Sequence, residues 1–221
     1  MTDPARVGDV QPVLDALLGR VERLAGDESF GAHAVFAALY LRTNRLLLEH
    51  YSGAETALAC RLTVIEFFRL YETQVVAPVR ERRPITAPAW RSYAAFADSL
   101  GPRPRVNPLL WLLCLGAEAH VRHDLPRAIV SAAKAHRQLA GDGPDMEAWR
   151  RDLLSRGAGD AFFAATLDLN RSVRGSTSRA GRMALGVHAA LAHPLRPVMI
   201  GVLQRWRDTA FHRGVAMLGA A

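Results

Sequence analysis

Lysine is almost absent from this chain. All but one of its 28 basic residues are arginine, Lys134 being the exception. Cysteine occurs only at positions 60 and 114, too sparsely for a disulfide scaffold. Both cysteines sit in apolar helical runs, so buried free thiols in a reducing compartment are expected. The first nine residues lack a basic segment followed by an apolar one. No signal peptide is therefore expected, and the expected location is cytoplasmic. The longest apolar run, residues 108–117, falls well short of the roughly 20 residues that span a bilayer. No alternating β-branched run marks a strand. A Gly-x-Ser-x-Gly elbow, a phosphate-cradling Gly-x-x-x-x-Gly-Lys loop and a dinucleotide-binding glycine fingerprint are all missing. These absences argue against a membrane protein, a secreted disulfide module and the common nucleotide-binding and serine-hydrolase designs.

What is present reads as helix. Half of the 221 residues are hydrophobic and 22% are charged, ordinary values for a globular protein. Val10, Val13, Leu14, Leu17, Leu18, Val21 and Leu24 recur at spacings of three and four, the mark of an amphipathic helix. The same period predicts helices over 30–50, 54–76, 90–100, 127–139, 146–156, 161–173, 179–191 and 198–218. A proline-rich loop holding Pro78, Pro84 and Pro88 is expected before Trp90, and turns or joints at 101–104, 141–144 and 175–178. The expected fold is all-α: a single helical domain over 1–221, a bundle of roughly eight to ten helices with no sheet.

The net charge of +7 does not mark a nucleic-acid reader, because the arginines are spread along the chain among acidic residues instead of forming a stripe. No nucleic-acid partner and no membrane are expected. Attraction to anionic small molecules or to an acidic carrier protein remains open. The oligomeric state is not legible.

The chain is organised around residues 111–126. This stretch starts as the most apolar run, Trp111-Leu112-Leu113-Cys114-Leu115, and ends in ionisable groups, with Pro126 expected to interrupt it. On a helix, residues three and four apart share a face. His120 therefore stands beside Asp124, and Gly116, Ala117 and Ala119 leave room around the ring. A carboxylate one turn after a histidine can accept one ring N–H and leave the other nitrogen free for a proton. The same spacing also suits a purely structural hydrogen-bonded pair. His123 would be a third ligand to a metal, yet no second His-x-x-x-His or Glu-x-x-His pattern supports one. No metal and no cofactor are expected. Glu118 lies on another side of the helix, near Arg122. In the last helix, Arg207 and Asp208 reach the His120 cavity only if that helix packs against the central one.

At these residues the chain resembles an uncharacterised all-helical bacterial family, a domain of unknown function. Its central helix reads His-Leu-Leu-Leu-Gly-x-Asn-Ala-His-Ile-Asn-x-Asp-Leu. The match runs over Gly116, Ala119, His120, Asp124 and Leu125. Weaker echoes fall at Phe36 to Tyr40 with Thr43, at Phe67 with Tyr71, at Trp90 to Phe96, at Arg151 to Leu153, and at Arg207-Asp208 with Ala210-Phe211. The family's first histidine falls at Leu112, its two asparagines at Glu118 and Arg122, and an acidic position of its third helix at or beside Val64. The resemblance implies a helical fold with a retained pocket and exchanged polar partners. It carries over no activity.

The expected function is that of a small-molecule enzyme with an apolar pocket, working by acid–base chemistry and closest to a cofactor-independent cyclase or lyase of specialised metabolism. His120 would move the proton and Asp124 would orient it. Trp111, Glu118, His123 and Arg207 are the expected substrate-binding residues, the polar ones polarising a carbonyl or steadying an oxyanion. The alternative is a non-catalytic helical binding or interaction protein in which His120 and Asp124 form an internal strut.

Overall fold

The computed structural model describes residues 10–100, 106–174 and 179–220, without the side chains of residues 28, 106–110, 156, 167–174 and 179–195. The expectations at 1–9, 101–104 and 175–178 lie outside the described residues. Among those described, every regular element is helical and none is a strand. Helix α1 is Gln11–Ala25 and α2 is Ala32–Tyr51. Helix α3 covers 57–80 as Ala57–Tyr71, a π-turn Glu72–Val76, and Ala77–Arg80. Helix α4 is Arg91–Ser99. Helix α5 covers 106–140 as Val106–Ala119, a π-turn His120–Asp124, and Leu125–Ala140. Helices α6, α7 and α8 are Met146–Leu153, Arg156–Arg174 and Arg179–Gly219.

The periodicity read along α1 is the packing: Leu14, Leu17, Val21 and Leu24 are buried. Gly141 ends α5 in the left-handed conformation (φ 86°) that glycine adopts without steric cost. The Asp145 side chain then starts α6 by accepting the Glu147 and Ala148 backbone N–H groups, each at 3.0 Å, so two donors of the first turn are satisfied.

Four prolines expected to mark breaks between helices lie inside helical segments instead. Pro126 follows the π-turn of α5 and Pro78 follows that of α3, each one residue into the next helical segment. Proline lacks an N–H and crowds the carbonyl four residues back. A π-turn accommodates this by bonding i to i+5: the Leu125 N–H reaches the His120 carbonyl and the Ala77 N–H reaches that of Glu72. The carbonyl four residues before Pro126, that of Arg122, accepts instead from Arg213 Nη1 on α8 at 3.3 Å. In α8 the helix runs through Pro194 and Pro197 without a break. Helices expected as pairs are therefore single rods. Among the described residues, seven helices of nine residues or more remain, with the two-turn α6 between them, fewer than the eight to ten expected.

Helix α5 is central. Its first part packs on α2 and α4, its π-turn on α3 and α8, and its last part on α3 and α8. Gly116 allows the close approach to α2, because a Cβ there would stand 2.2 Å from Phe36 Cε2. Cys60 is buried as expected, whereas Cys114 lies exposed on α5. No helix among the described residues is long and apolar enough to cross a membrane.

Candidate functional site

The π-turn of α5 puts His120 and Asp124 on the inner face of the bundle. Asp124 is completely buried and His120 is 4% exposed. Asp124 Oδ2 lies 3.0 Å from His120 Nδ1 and accepts from Trp90 Nε1 at 3.1 Å. Asp124 Oδ1 accepts from Gln74 Nε2, on the π-turn of α3, at 3.0 Å. A carboxylate only accepts, so the proton on the neutral imidazole sits at Nδ1. That leaves Nε2 with a bare lone pair. It is buried and has no partner among the described residues.

Aromatic rings fix the imidazole on several sides. Phe67 lies against it with ring centroids 3.8 Å apart, and Tyr40 meets it edge-on at 4.7 Å. Trp90 and Tyr71 stand at 5.8 and 6.0 Å. Two hydroxyls of this cage, those of Tyr40 and Tyr71, are also buried without a hydrogen-bond partner among the described residues, and so is that of Thr43 nearby on α2. Burial holds the Tyr40 phenol well above its ordinary value, helped by the charge of Asp124. The Tyr40 hydroxyl is therefore a donor at neutral pH.

His120, Tyr40, Thr43 and Phe67 line one cavity of about 100 Å³. The other walls are mostly apolar side chains of α2, α3, α5, α6 and α7, with the polar Asn44, Tyr51 and Thr63 among them and Leu203 and Arg207 from α8. Arg207 Nη2 donates to the Tyr51 hydroxyl at 2.9 Å. Burial pushes the Tyr51 phenol up to about 12 although the Arg207 charge opposes it. Cys60, behind this corner, is pushed up to about 12 by burial as well.

Of the residues expected to form the site, His120 and Asp124 come together and Arg207 lines the same cavity. The other three do not reach it. Trp111 points outward and is 58% exposed. Glu118 forms an exposed pair with Arg122 at 2.6 Å, and Glu118 and His123 face a separate outer groove of about 520 Å³. The physical reason is helical geometry: the wall that carries His120 also carries Ala117 and Val121, while positions 111, 118 and 123 belong to the solvent side. Among the described residues, no three His, Cys, Asp or Glu side chains gather where they could hold a metal ion.

Gln74, Trp90, Tyr40, Thr43, Phe67, Tyr71 and Tyr51 are absent from the expected site. A signal for most of them was present. The scattered echoes that accompany the central motif fall at Phe36 to Tyr40, Thr43, Phe67, Tyr71, Trp90, Leu153 and Arg207. Each of those echo stretches lines the cavity or touches His120. The positions of departure also have places in the fold. Val64, at or beside the position where the resembled pattern is acidic, lines the cavity. Glu118 and Arg122 pair with each other on the outside.

No curated protein and no solved structure matches the chain. A family model does match, over residues 10–220, under the description "Family of unknown function (DUF5995)". With that match running through every helix around His120, the chain belongs to this family of unknown function.

Proposed function

We propose that the protein is an acid–base enzyme for a small, largely apolar molecule, of the cofactor-independent cyclase or lyase type. One observation carries the reading. His120 Nε2 is a buried basic nitrogen with no partner among the described residues, on the wall of an apolar cavity, while its Nδ1 is held by a buried carboxylate. An unsatisfied polar atom in a core costs about 1–3 kcal/mol, and a cost of that kind at a cavity wall is what a proton-transfer site carries.

In this reading His120 Nε2 takes a proton from a carbon or hydroxyl of the substrate. Asp124 steadies the imidazolium that forms, and Trp90 and Gln74 hold Asp124 in place. The Tyr40 and Thr43 hydroxyls donate to the oxygen on which negative charge develops. The electron pair released by deprotonation forms the new double bond or ring bond. The proton held at Nε2 then returns to the leaving group or to a neighbouring atom. The apolar walls keep water from the pair.

The test is hydrogen exchange at carbon. The protein is incubated in D2O with a panel of small apolar carbonyl compounds, and deuterium incorporation is followed by NMR. Incorporation that disappears in His120→Gln, with the helical circular dichroism unchanged, supports the reading. Incorporation at the same rate in that variant removes it. The second reading, an internal strut, is favoured by the three donors on Asp124. It expects no exchange in either protein.

A further inference from the structure

The cavity has a second polar end. Tyr40, against His120, and Tyr51, bonded to Arg207, both belong to α2 and are eleven residues apart. At the rise of an α-helix this separates them by roughly 16 Å along the axis. Between them Thr43, Asn44 and Leu47 of the same helix face continue the wall. Both ends line one cavity of about 100 Å³. It suits an unbranched chain or a single flat ring better than a fused polycycle.

The two ends differ in chemistry. His120 is deep, and among the described residues its Nε2 has no partner. Arg207 is half-buried and stands at the Tyr51 end of the cavity. Among the described residues no carboxylate pairs with Arg207; its one hydrogen bond is to the Tyr51 hydroxyl. The nearby carboxylates are already engaged. Asp152 accepts the Thr56 backbone N–H at 2.9 Å and its hydroxyl at 2.6 Å. Asp208 accepts Arg150 Nε at 2.9 Å and lies 3.4 Å from His212 Nε2. The Tyr51 phenol accepts from Arg207, which leaves its own proton to donate. A guanidinium and a phenol side by side, at one end of an apolar cavity, match one chemistry: a carboxylate head with a slender apolar body behind it.

We propose that the ligand of this cavity is an amphiphilic monocarboxylate, with its carboxylate on Arg207 and Tyr51 and its apolar body reaching towards His120. The inference rests on the reading of this cavity as the substrate site and names the class of substrate. Arg207 anchors the head and sets the register that brings a remote atom of the chain to Nε2. Val64 on the intervening wall is apolar and carries no charge that would repel the ligand.

The experiment is a calorimetric titration of the full chain with octanoate and, as a neutral isostere, octanamide. Octanoate is expected to bind at least about tenfold more tightly, because a charged group strengthens each hydrogen bond at Arg207 and Tyr51. Arg207→Gln is expected to bring the two ligands to equal affinity, and Arg207→Lys to restore part of the difference. Tyr51→Phe, which leaves the guanidinium in place, is expected to reduce the preference without abolishing it. In the series from hexanoate to decanoate the affinity should rise about fourfold per methylene. Equal affinity for octanoate and octanamide in the unaltered protein overturns the proposal, as does a preference that survives Arg207→Gln. His120→Gln separates this outcome from the catalytic one. It is expected to keep the carboxylate preference, and a carboxylate preference without any deuterium exchange would retire the catalysis while leaving the ligand class standing.

Discussion

Replacing Asp124 with alanine removes the acceptor of three donors at once. Two of them, Trp90 Nε1 and His120 Nδ1, are inside the core, and each loses its only partner. Gln74 is half-buried and also faces the outer groove, so water can replace the carboxylate there at little cost. Two buried donors at about 1–3 kcal/mol each, with the small void left by the side chain, give about 4 kcal/mol, in the range for breaking one side of a buried pair. For a chain of this length that corresponds to a drop in Tm of about 8–16 °C. Asp124→Asn should behave differently. Its amide oxygen can occupy the Oδ2 position and keep both core donors. Its NH2 then faces Gln74, whose own amide can turn to offer oxygen. The expected loss is about 1 kcal/mol, or roughly 2–4 °C. Glu118→Ala, which opens only an exposed pair, serves as the control and should change Tm by less than about 2 °C. Thermal and urea unfolding monitored by circular dichroism measure all three. An Asp124→Ala protein within about 1 kcal/mol of the parent would refute the hydrogen-bond arithmetic. So would an Asp124→Asn protein as unstable as the alanine variant.

The same geometry fixes other outcomes. Nitrogen-15 NMR of the neutral His120 ring should show the proton on Nδ1 and a bare Nε2, and Asp124→Ala should release that tautomer preference. Gly116→Ala should cost about 3 kcal/mol or more, seen as a lower urea midpoint, because the added Cβ would stand 2.2 Å from the Phe36 ring. Burial lowers the His33 pKa below 6.5, with Asp98 only partly opposing it. Above pH 6.5 the folded and unfolded chains are both neutral there; as pH falls, the unfolded chain takes the proton first, so stability is lost towards the lowered folded value. His33→Gln should flatten that acid-side fall in Tm. A thiol reagent at about pH 8 should modify Cys114 in the native protein and reach Cys60 only after unfolding, since a thiol at about 12 is thiolate in only about one molecule in ten thousand.

How much of this was legible before folding depends on the reach of each interaction. His120 and Asp124 are four residues apart, and any helix brings such residues together, so their pairing was readable from spacing alone. The buried stripe of α1, the glycine stop at Gly141 and the Asp145 turn before α6 are equally local. Trp111 was misplaced because an apolar residue in an apolar run gives no sign of which way its helix will face. The two π-turns were misread as interruptions. A proline announces that one backbone bond must be lost, and only the arrival of Arg213 from α8 at the Arg122 carbonyl shows that the helix continues through it.

The sequence by itself therefore determined the helical class, the order of the main amphipathic segments and the His120–Asp124 pair, because backbone periodicity and side-chain spacing act within a few residues. Tertiary structure alone decided what surrounds that pair. It brought Trp90, Gln74 and Tyr40 to the imidazole and joined Tyr51 to Arg207 across 156 positions of chain. Those contacts follow from packing α2, α3 and α8 around α5, where burial favours the fit of whole helix faces and no local pattern specifies which faces meet.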